Sequence, residues 1–228
     1  MDLWEQFLEM TKSKNSTVKG ERPLEAPDEK SGIQLPSYQP EGYEIFAARR
    51  TIRDFTADAL TIGELSFLLW ATQGATGENA RGILRTAPSA GATHPLDTYL
   101  MIRRVKGIKP GIYKFIRNSN MLAEVNTAPG ACEKFTEYCK SQPVVQSAAV
   151  VFFWVSDINR SYWRFGNRAY RYLFIDAGHI CGNLYFAAQA VNCGVCAIGA
   201  FDDDAMNSFL GLDGIKRMAV YGAAVGKK

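Results

Sequence analysis

Apolar positions recur along this chain at two spacings, and the spacing separates helices from strands. From residue 168 to 192, Tyr170, Leu173, Phe174, Ala177, Ile180, Cys181, Leu184, Ala187, Ala188 and Val191 keep an i, i+3, i+4, i+7 pattern. That pattern predicts one long central helix, apolar on more than one side. Gly178 and Gly182 share one face of it and leave room for a second helix to approach. Upstream, Tyr43 to Arg50 reads as a short helix. Thr61-Ile62-Gly63-Glu64 is a capping box ahead of Leu65, Leu68 and Leu69, so a helix is expected over 61–73.

Between 74 and 95, Gly74, Gly77, Gly82, Pro88, Gly91 and Pro95 interrupt every periodicity, and a loop is expected there. Thr98 to Ile102 reads as a strand. Gly111 to Phe115 and Met121 to Val125 read as a hairpin about Asn118-Ser119-Asn120. A helix is expected over 131–141. The run Ala148 to Val155 shows no polar alternation and predicts a strand buried on both faces. Ala197 to Phe201 then reads as a strand, 203–210 as a short helix and Met218 to Val225 as a final strand. Helices, strands, a long helix and strands again argue for an α+β fold.

Composition changes the picture only at the N-terminus. Residues 1–42 are polar beyond Leu3, Trp4, Phe7 and Leu8 and hold four of the nine prolines, so they read as an extended arm ahead of a domain over 43–228. Elsewhere the balance of 47% hydrophobic and 21% charged residues suits a well-filled core. A formal charge of +3 spread along the chain argues against a nucleic-acid partner. The longest apolar run is far shorter than a membrane span, and the N-terminus resembles no secretory signal, so a cytoplasmic protein without a membrane partner is expected.

Five scattered cysteines make no disulfide framework and fit a reducing compartment. Cys193-Gly194-Val195-Cys196 lacks the further ligands of a zinc site, and no metal is expected. Because the pair follows a helix instead of opening one, no dipole lowers its thiol pKa, and two small apolar side chains entering a strand are expected. Dinucleotide-binding, phosphate-loop and serine-hydrolase motifs are missing. Asp176, His179 and Asn183 form a polar stripe on the long helix, expected to be a buried network that fixes packing.

The informative chemistry is Arg49-Arg50-Thr51-Ile52-Arg53. Such a run is either a solvated face or a set of guanidinium forks converging with a hydroxyl on a phosphate. The loop Pro88-Ser89-Ala90-Gly91-Ala92-Thr93-His94-Pro95 adds hydroxyls and bare backbone that can lie against a planar ligand.

Arg-Arg-Thr-Ile-Arg-Asp-Phe resembles the Arg-Arg-Ser-x-Arg-x-Phe opening of the nitroreductase family of flavoproteins, and Pro88 to Pro95 resembles that family's Pro-Ser-Ser-x-Asn-x-Gln-Pro segment. RTAPSAGATHPLDTYL, LLWATQGAT and YRYLFIDAGHICGNLYFAAQA resemble its branch related to the azoline oxidases of thiazole and oxazole peptide maturation. The resemblance runs from about Tyr43 to Lys228.

It implies a mostly antiparallel central sheet flanked by helices, and a homodimer holding FMN at the subunit interface, with NADH or NADPH as electron donor. By that resemblance Arg49, Arg50 and Thr51 hold phosphate and ribityl, and Arg53 faces the pyrimidine edge. Pro88, Ser89, Ala90 and Gly91 come from the other subunit's loop. Ile198 and Gly199 present backbone N–H groups near N5 and O4, and Lys227 or Lys228 completes the phosphate site. No catalytic side chain is assigned.

The azoline branch carries a Lys-Tyr pair for acid/base work just before the long helix, where this chain has Trp163-Arg164-Phe165-Gly166. Phe has no hydroxyl and Arg scarcely deprotonates. The expected function is therefore an FMN-dependent NAD(P)H oxidoreductase of a small acceptor, nitroaromatic or quinone-like. An azoline-type dehydrogenase and a flavin-binding module without turnover are the alternatives.

Overall fold

The computed structural model describes residues 3–12, 14, 15, 33, 35–80 and 82–228, so half of the expected arm lies outside the described residues. Within the arm, α1 (Leu3–Thr11) is helical. It buries Trp4 against Tyr170, the ring centroids 3.7 Å apart. After α2 (Tyr43–Ala47) comes α3 (Ile62–Gln73). Its predicted capping box is formed: Thr61 Oγ1 accepts the Glu64 N–H at 3.2 Å and Glu64 Oε2 accepts the Thr61 N–H at 2.8 Å.

A two-stranded hairpin, β1 (Ala75–Asn79) and β2 (Gly82–Arg85), precedes β3 (Leu96–Ile102), β4 (Gly111–Ile116) and β5 (Met121–Asn126). Next come α4 (Ala131–Tyr138), α5 (Pro143–Ser147), β6 (Val150–Ser156), α6 (Asn159–Phe165) and α7 (Arg168–Ala190). The chain ends with β7 (Cys193–Ile198), α8 (Asp203–Phe209) and β8 (Ala219–Lys227). The six-stranded sheet runs β5-β4-β3-β6-β8-β7, antiparallel throughout.

β6 lies between β3 and β8 and is buried along its whole length, as its uninterrupted apolar run requires. On one face Leu100, Phe152 and Trp154 pack with Leu65 and Leu68 of α3 and Leu173, Ile180 and Leu184 of α7. On the other, Met101, Phe153 and Val155 pack with Phe135 of α4, Val145 of α5 and Met206 of α8. Phe152 and Phe153 are fully buried on opposite faces, contributing roughly 2–3 kcal/mol each by transfer. α7 turns Leu173, Ala177, Ile180 and Leu184 inward and leaves Phe174, Ile175 and Gly178 exposed.

The stretch expected to be a loop contains the β1–β2 hairpin. Every residue of β1 is exposed, so no apolar alternation announces it, and backbone pairing alone defines it. β7 begins at Cys193, four residues before the expected start, because Cys193 to Cys196 pair with Lys227 to Ala224. α5 and α6 escaped notice since helices of five and seven residues repeat the 3.6-residue period at most about twice. Among the described residues no helix is long and apolar enough to cross a membrane.

Candidate cofactor site

The arginine segment follows α2 in extended form and is fastened to the sheet at two points. Ile52 N–H donates to the Val195 carbonyl and Thr56 N–H to the Lys227 carbonyl, both at 3.0 Å. Between these anchors it lies over Gly194 and Gly226, paired across β7 and β8. A Cβ built at Gly194 would stand 2.7 Å from Ile52, and one at Gly226 would stand 2.5 Å from Phe55. Bare backbone lets the segment press onto the sheet face, which brings Arg49, Arg50, Thr51 and Arg53 to the edge strand.

There Arg50, Lys228, Tyr185, Gln189 and Cys193 to Val195 line a cleft of about 80 Å³. Among the described residues no Asp or Glu side chain lines it. Arg50 Nη1 donates to the carbonyls of Ala47 at 2.9 Å and Arg49 at 2.7 Å, which sets its guanidinium at the end of α2. Arg49 lies over the Tyr185 ring at 5.7 Å. The Tyr185 hydroxyl accepts the Ala197 N–H at 2.9 Å and sits 3.4 Å from Thr51 Oγ1. Gln189 donates to the Ile45 carbonyl at 2.8 Å and holds α2 against α7. Tyr185 and Gln189 were missed in the sequence. Their signal is a pair of hydrogen-bonding side chains one turn apart near the C-terminal end of α7.

The two C-terminal lysines part ways. Lys227 Nζ pairs with Glu64 Oε1 at 2.5 Å and donates to the Val191 carbonyl at 2.8 Å. Burial pushes the Glu64 carboxyl up, but Lys227 and Thr61 outweigh it and hold the pKa below its ordinary value. Lys228 lines the cleft beside Arg50.

Arg53 sits by Cys196, whose thiol is pushed up by burial and only partly drawn back by that guanidinium. Burial likewise pushes Cys193 up to about 11. Both thiols lie within β7 as small apolar side chains. Ile198 ends β7 opposite Gly222, and Gly199 follows it.

The Pro88–Pro95 loop is built against α6 and α7. Ser89 Oγ donates to Asp176 Oδ2 at 2.5 Å and accepts the His94 N–H at 2.9 Å. The Ala90 N–H donates to Asp176 Oδ1 at 3.3 Å. Burial raises the Asp176 pKa, and these two donors oppose the rise. Gly91 has φ 57°, and a Cβ there would stand 2.8 Å from both Arg164 and Phe165. Thr93 and Ser161 hydroxyls are 2.5 Å apart.

One chain does not bring the two halves of the predicted site together. The loop is anchored on α7 at Asp176 and the arginine segment at Tyr185, nine residues later, which is about 13 Å along a helix axis. The expected buried network along α7 is also divided. Asp176 holds the loop, Asn183 donates to the Ala71 carbonyl of α3 at 3.0 Å, and His179 is exposed because its turn of helix faces outward.

Residues 46–227 match the nitroreductase family. A protein of Methanocaldococcus jannaschii assigned to the nitroreductases is 32% identical over 179 residues, 78% of this chain and 88% of that one. A similarly assigned structure from Anabaena variabilis aligns with a TM-score of 0.67 and 26% identity over 86% of this chain, which spans 40% of that longer chain. A chain of the E. coli microcin synthetase complex aligns at TM-score 0.71 and 15% identity, covering 92% of this chain and 79% of that one. A Desulfovibrio desulfuricans protein in complex with FMN aligns at TM-score 0.58 and 17% identity, covering 83% and 87%. The last two likenesses concern the fold. The match over residues 46–227, together with the Methanocaldococcus relative, shows that this chain belongs to the nitroreductase family and has the general role of an oxidoreductase.

Proposed function

We propose that the chain is an FMN-dependent oxidoreductase that passes hydride from NADH or NADPH through the flavin to a small acceptor, nitroaromatic or quinone-like. The observation that carries this reading is the cleft at the edge of β7, where Arg50 and Lys228 meet Cys193, Gly194 and Val195 and, among the described residues, no Asp or Glu side chain stands by to neutralise them. That donor set fits a phosphate, since paired guanidinium and ammonium donors make charge-assisted hydrogen bonds to its oxygens. When bound, FMN supplies the hydride chemistry.

The chain's residues bind, orient and tune it. Arg49, Arg50, Thr51 and Lys228 hold the phosphate and ribityl end. Arg53, beside the end of β7, faces the pyrimidine edge and stabilises negative charge there. Ile198 and Gly199 offer backbone N–H groups toward N5 and O4. The Pro88 to Gly91 loop completes the site from the second subunit of a homodimer. Since the Ser89 hydroxyl is already spent on Asp176 and His94, this loop contributes backbone groups. The exposed Phe174 and Ile175 of α7, with Phe67 and Trp70 of α3, supply an apolar surface for that dimer. Residues 43–228 form the flavin domain and 1–42 an arm.

The test is an anaerobic absorbance trace of the purified yellow protein. Bleaching by NADH or NADPH, reversed by a quinone, is the expected result. Bleaching only by a peptide azoline would assign the protein to peptide maturation, and a yellow protein that no reductant bleaches would be a binder.

A further inference from the structure

Asp97, the second residue of β3, is buried, and four cations surround its carboxylate. Arg160 of α6 stands at 2.7 Å, Lys114 of β4 at 2.8 Å, Arg117 at 3.7 Å and Arg217 at 4.0 Å. Arg85 joins them from β2. It and Arg117 lie close enough to His94 that, after burial, they are the causes holding the imidazole down to about 4. A structural role for Asp97 explains Lys114 and Arg160, which tie β4 and α6 to β3. It does not explain the rest.

Arg117 and Arg217 stand beyond hydrogen-bond range of the one carboxylate they share, and Arg217 donates instead to the neutral Tyr99 hydroxyl at 3.2 Å. Arg85 is satisfied only by neutral oxygens, the Gln73 carbonyl at 2.9 Å and Asn118 Oδ1 at 3.2 Å. Arg117 Nη1 is buried and has no hydrogen-bond partner. Burial and the neighbouring Arg85 lower the Arg117 pKa to about 10, so holding this guanidinium charged is costly as the chain stands.

The charges do not balance. Among the described residues, four of the five cations face Asp97, with Asp157 3.4 Å from Arg160, and Arg85 lies beside Arg117 and Arg160. Asp213, four residues before Arg217, accepts the backbone N–H groups of Ile215, Lys216 and Arg217. The excess is three positive charges, or two if Asp213 is counted. Lys114, Arg160 and Arg217 keep between 28% and 38% of their side chains accessible, so the cluster opens to solvent.

We propose that Asp97, Lys114, Arg117, Arg160, Arg217 and Arg85 form an oxyanion site separate from the arginine-segment cleft, and that it takes a phosphate dianion. A dianion neutralises two of the excess charges, whereas a monocarboxylate neutralises one. Tetrahedral oxygens suit several converging guanidinium groups better than a planar carboxylate does. Asp97 acts as the positioning residue that gathers the cations. His94, left neutral, joins the cluster to the Pro88–Pro95 loop.

The test is calorimetric titration of the FMN-loaded protein with inorganic phosphate and with adenosine monophosphate, chloride serving as the ionic-strength control. The expected result is one saturable site with a Kd below about 1 mM and no change in flavin absorbance. Tighter binding of the nucleotide assigns the site to a nucleotide phosphate, and equal binding to free phosphate. Lys114→Gln and Arg217→Gln, both at partly exposed positions, should each weaken binding about ten-fold without changing the far-ultraviolet circular dichroism. If the purified protein holds no flavin, Arg50→Gln is the control, and it should leave phosphate binding intact. No saturable heat, or binding lost in Arg50→Gln but kept in Lys114→Gln and Arg217→Gln, overturns the proposal and leaves the flavin reading to stand or fall separately.

Discussion

Gly194 and Gly226 face each other across β7 and β8, and together they make the bare patch on which Ile52 and Phe55 lie. Neither glycine has a positive φ, so close approach and not turn geometry demands it. Everything proposed for the arginine segment depends on that contact. Gly226→Ala places a Cβ 2.5 Å from the Phe55 ring, in a β-sheet that cannot shift freely. The overpacking should cost about 1–3 kcal/mol, and the melting temperature should fall by roughly 2–12 °C with weaker flavin retention. Gly63→Ala, in α3 with only Thr61 Oγ1 near at 4.0 Å, is the control and should be neutral or stabilising. Equal melting temperatures for Gly226→Ala and the parent chain would refute the contact.

Asp176→Ala removes the acceptor of both the Ser89 hydroxyl and the Ala90 N–H. Leaving such partly buried donors unsatisfied costs about 1–3 kcal/mol. Asp176→Asn keeps an acceptor oxygen and should cost less. Thermal denaturation of both variants checks the order, and protease susceptibility between residues 88 and 95 checks the place.

Stability should also depend on pH through His94. Its pKa is depressed from 6.5 to about 4. Between these values the unfolded chain binds a proton that the folded chain refuses, so the stabilisation is complete above 6.5 and is lost as the pH falls toward 4. Asp97 contributes at lower pH. Burial pushes its carboxyl up, but Arg160 and Lys114 more than offset that and hold it below 3.8. His94→Asn, which tolerates the backbone φ of 42° at this position, should flatten the melting curve's pH dependence between 6.5 and 4. An undiminished slope would place the titration elsewhere.

How much of this was visible beforehand follows the length and burial of each element. α7 and β6 were legible because a helix with six turns of apolar periodicity and a doubly buried strand leave long apolar signatures. The exposed β1–β2 hairpin left none. Lys227 and Lys228 could not be told apart by residue type, yet Lys227 ends β8 and pairs with Glu64, whereas Lys228 follows the strand and lines the cleft. The cations around Asp97 come from five separate elements and loops, so no local pattern gathers them.

The outward face of α7 bears on assembly. A Cβ at Gly178 or Gly182 meets nothing within 4 Å inside the chain. In an isolated subunit Gly178→Ala should therefore stabilise, by about 1 kcal/mol from helix propensity alone. Gly178→Leu would instead thrust a branched side chain into a homodimer built on this face. Sedimentation at micromolar concentration should find the parent chain dimeric and Gly178→Leu shifted toward monomer. A dimer unaffected by the leucine would move the interface away from α7.

Arg53 gives the sharpest test of how the proposed flavin site is laid out. Its guanidinium lies by Cys196, beyond the part of the cleft that Arg50 and Lys228 line. If it faces the pyrimidine edge, its charge favours the anionic reduced ring, whereas Arg50 acts on the phosphate. Arg50→Ala should therefore release FMN. Arg53→Gln should keep more of it and lower the midpoint potential instead. About 30 mV corresponds to 1.4 kcal/mol for a two-electron couple, so losing one partly screened charge should shift the potential by tens of millivolts. A spectroscopic redox titration against a reference dye measures this directly. A fully loaded Arg53→Gln protein with an unchanged midpoint would remove Arg53 from the ring and confine the arginine segment's role to the phosphate end.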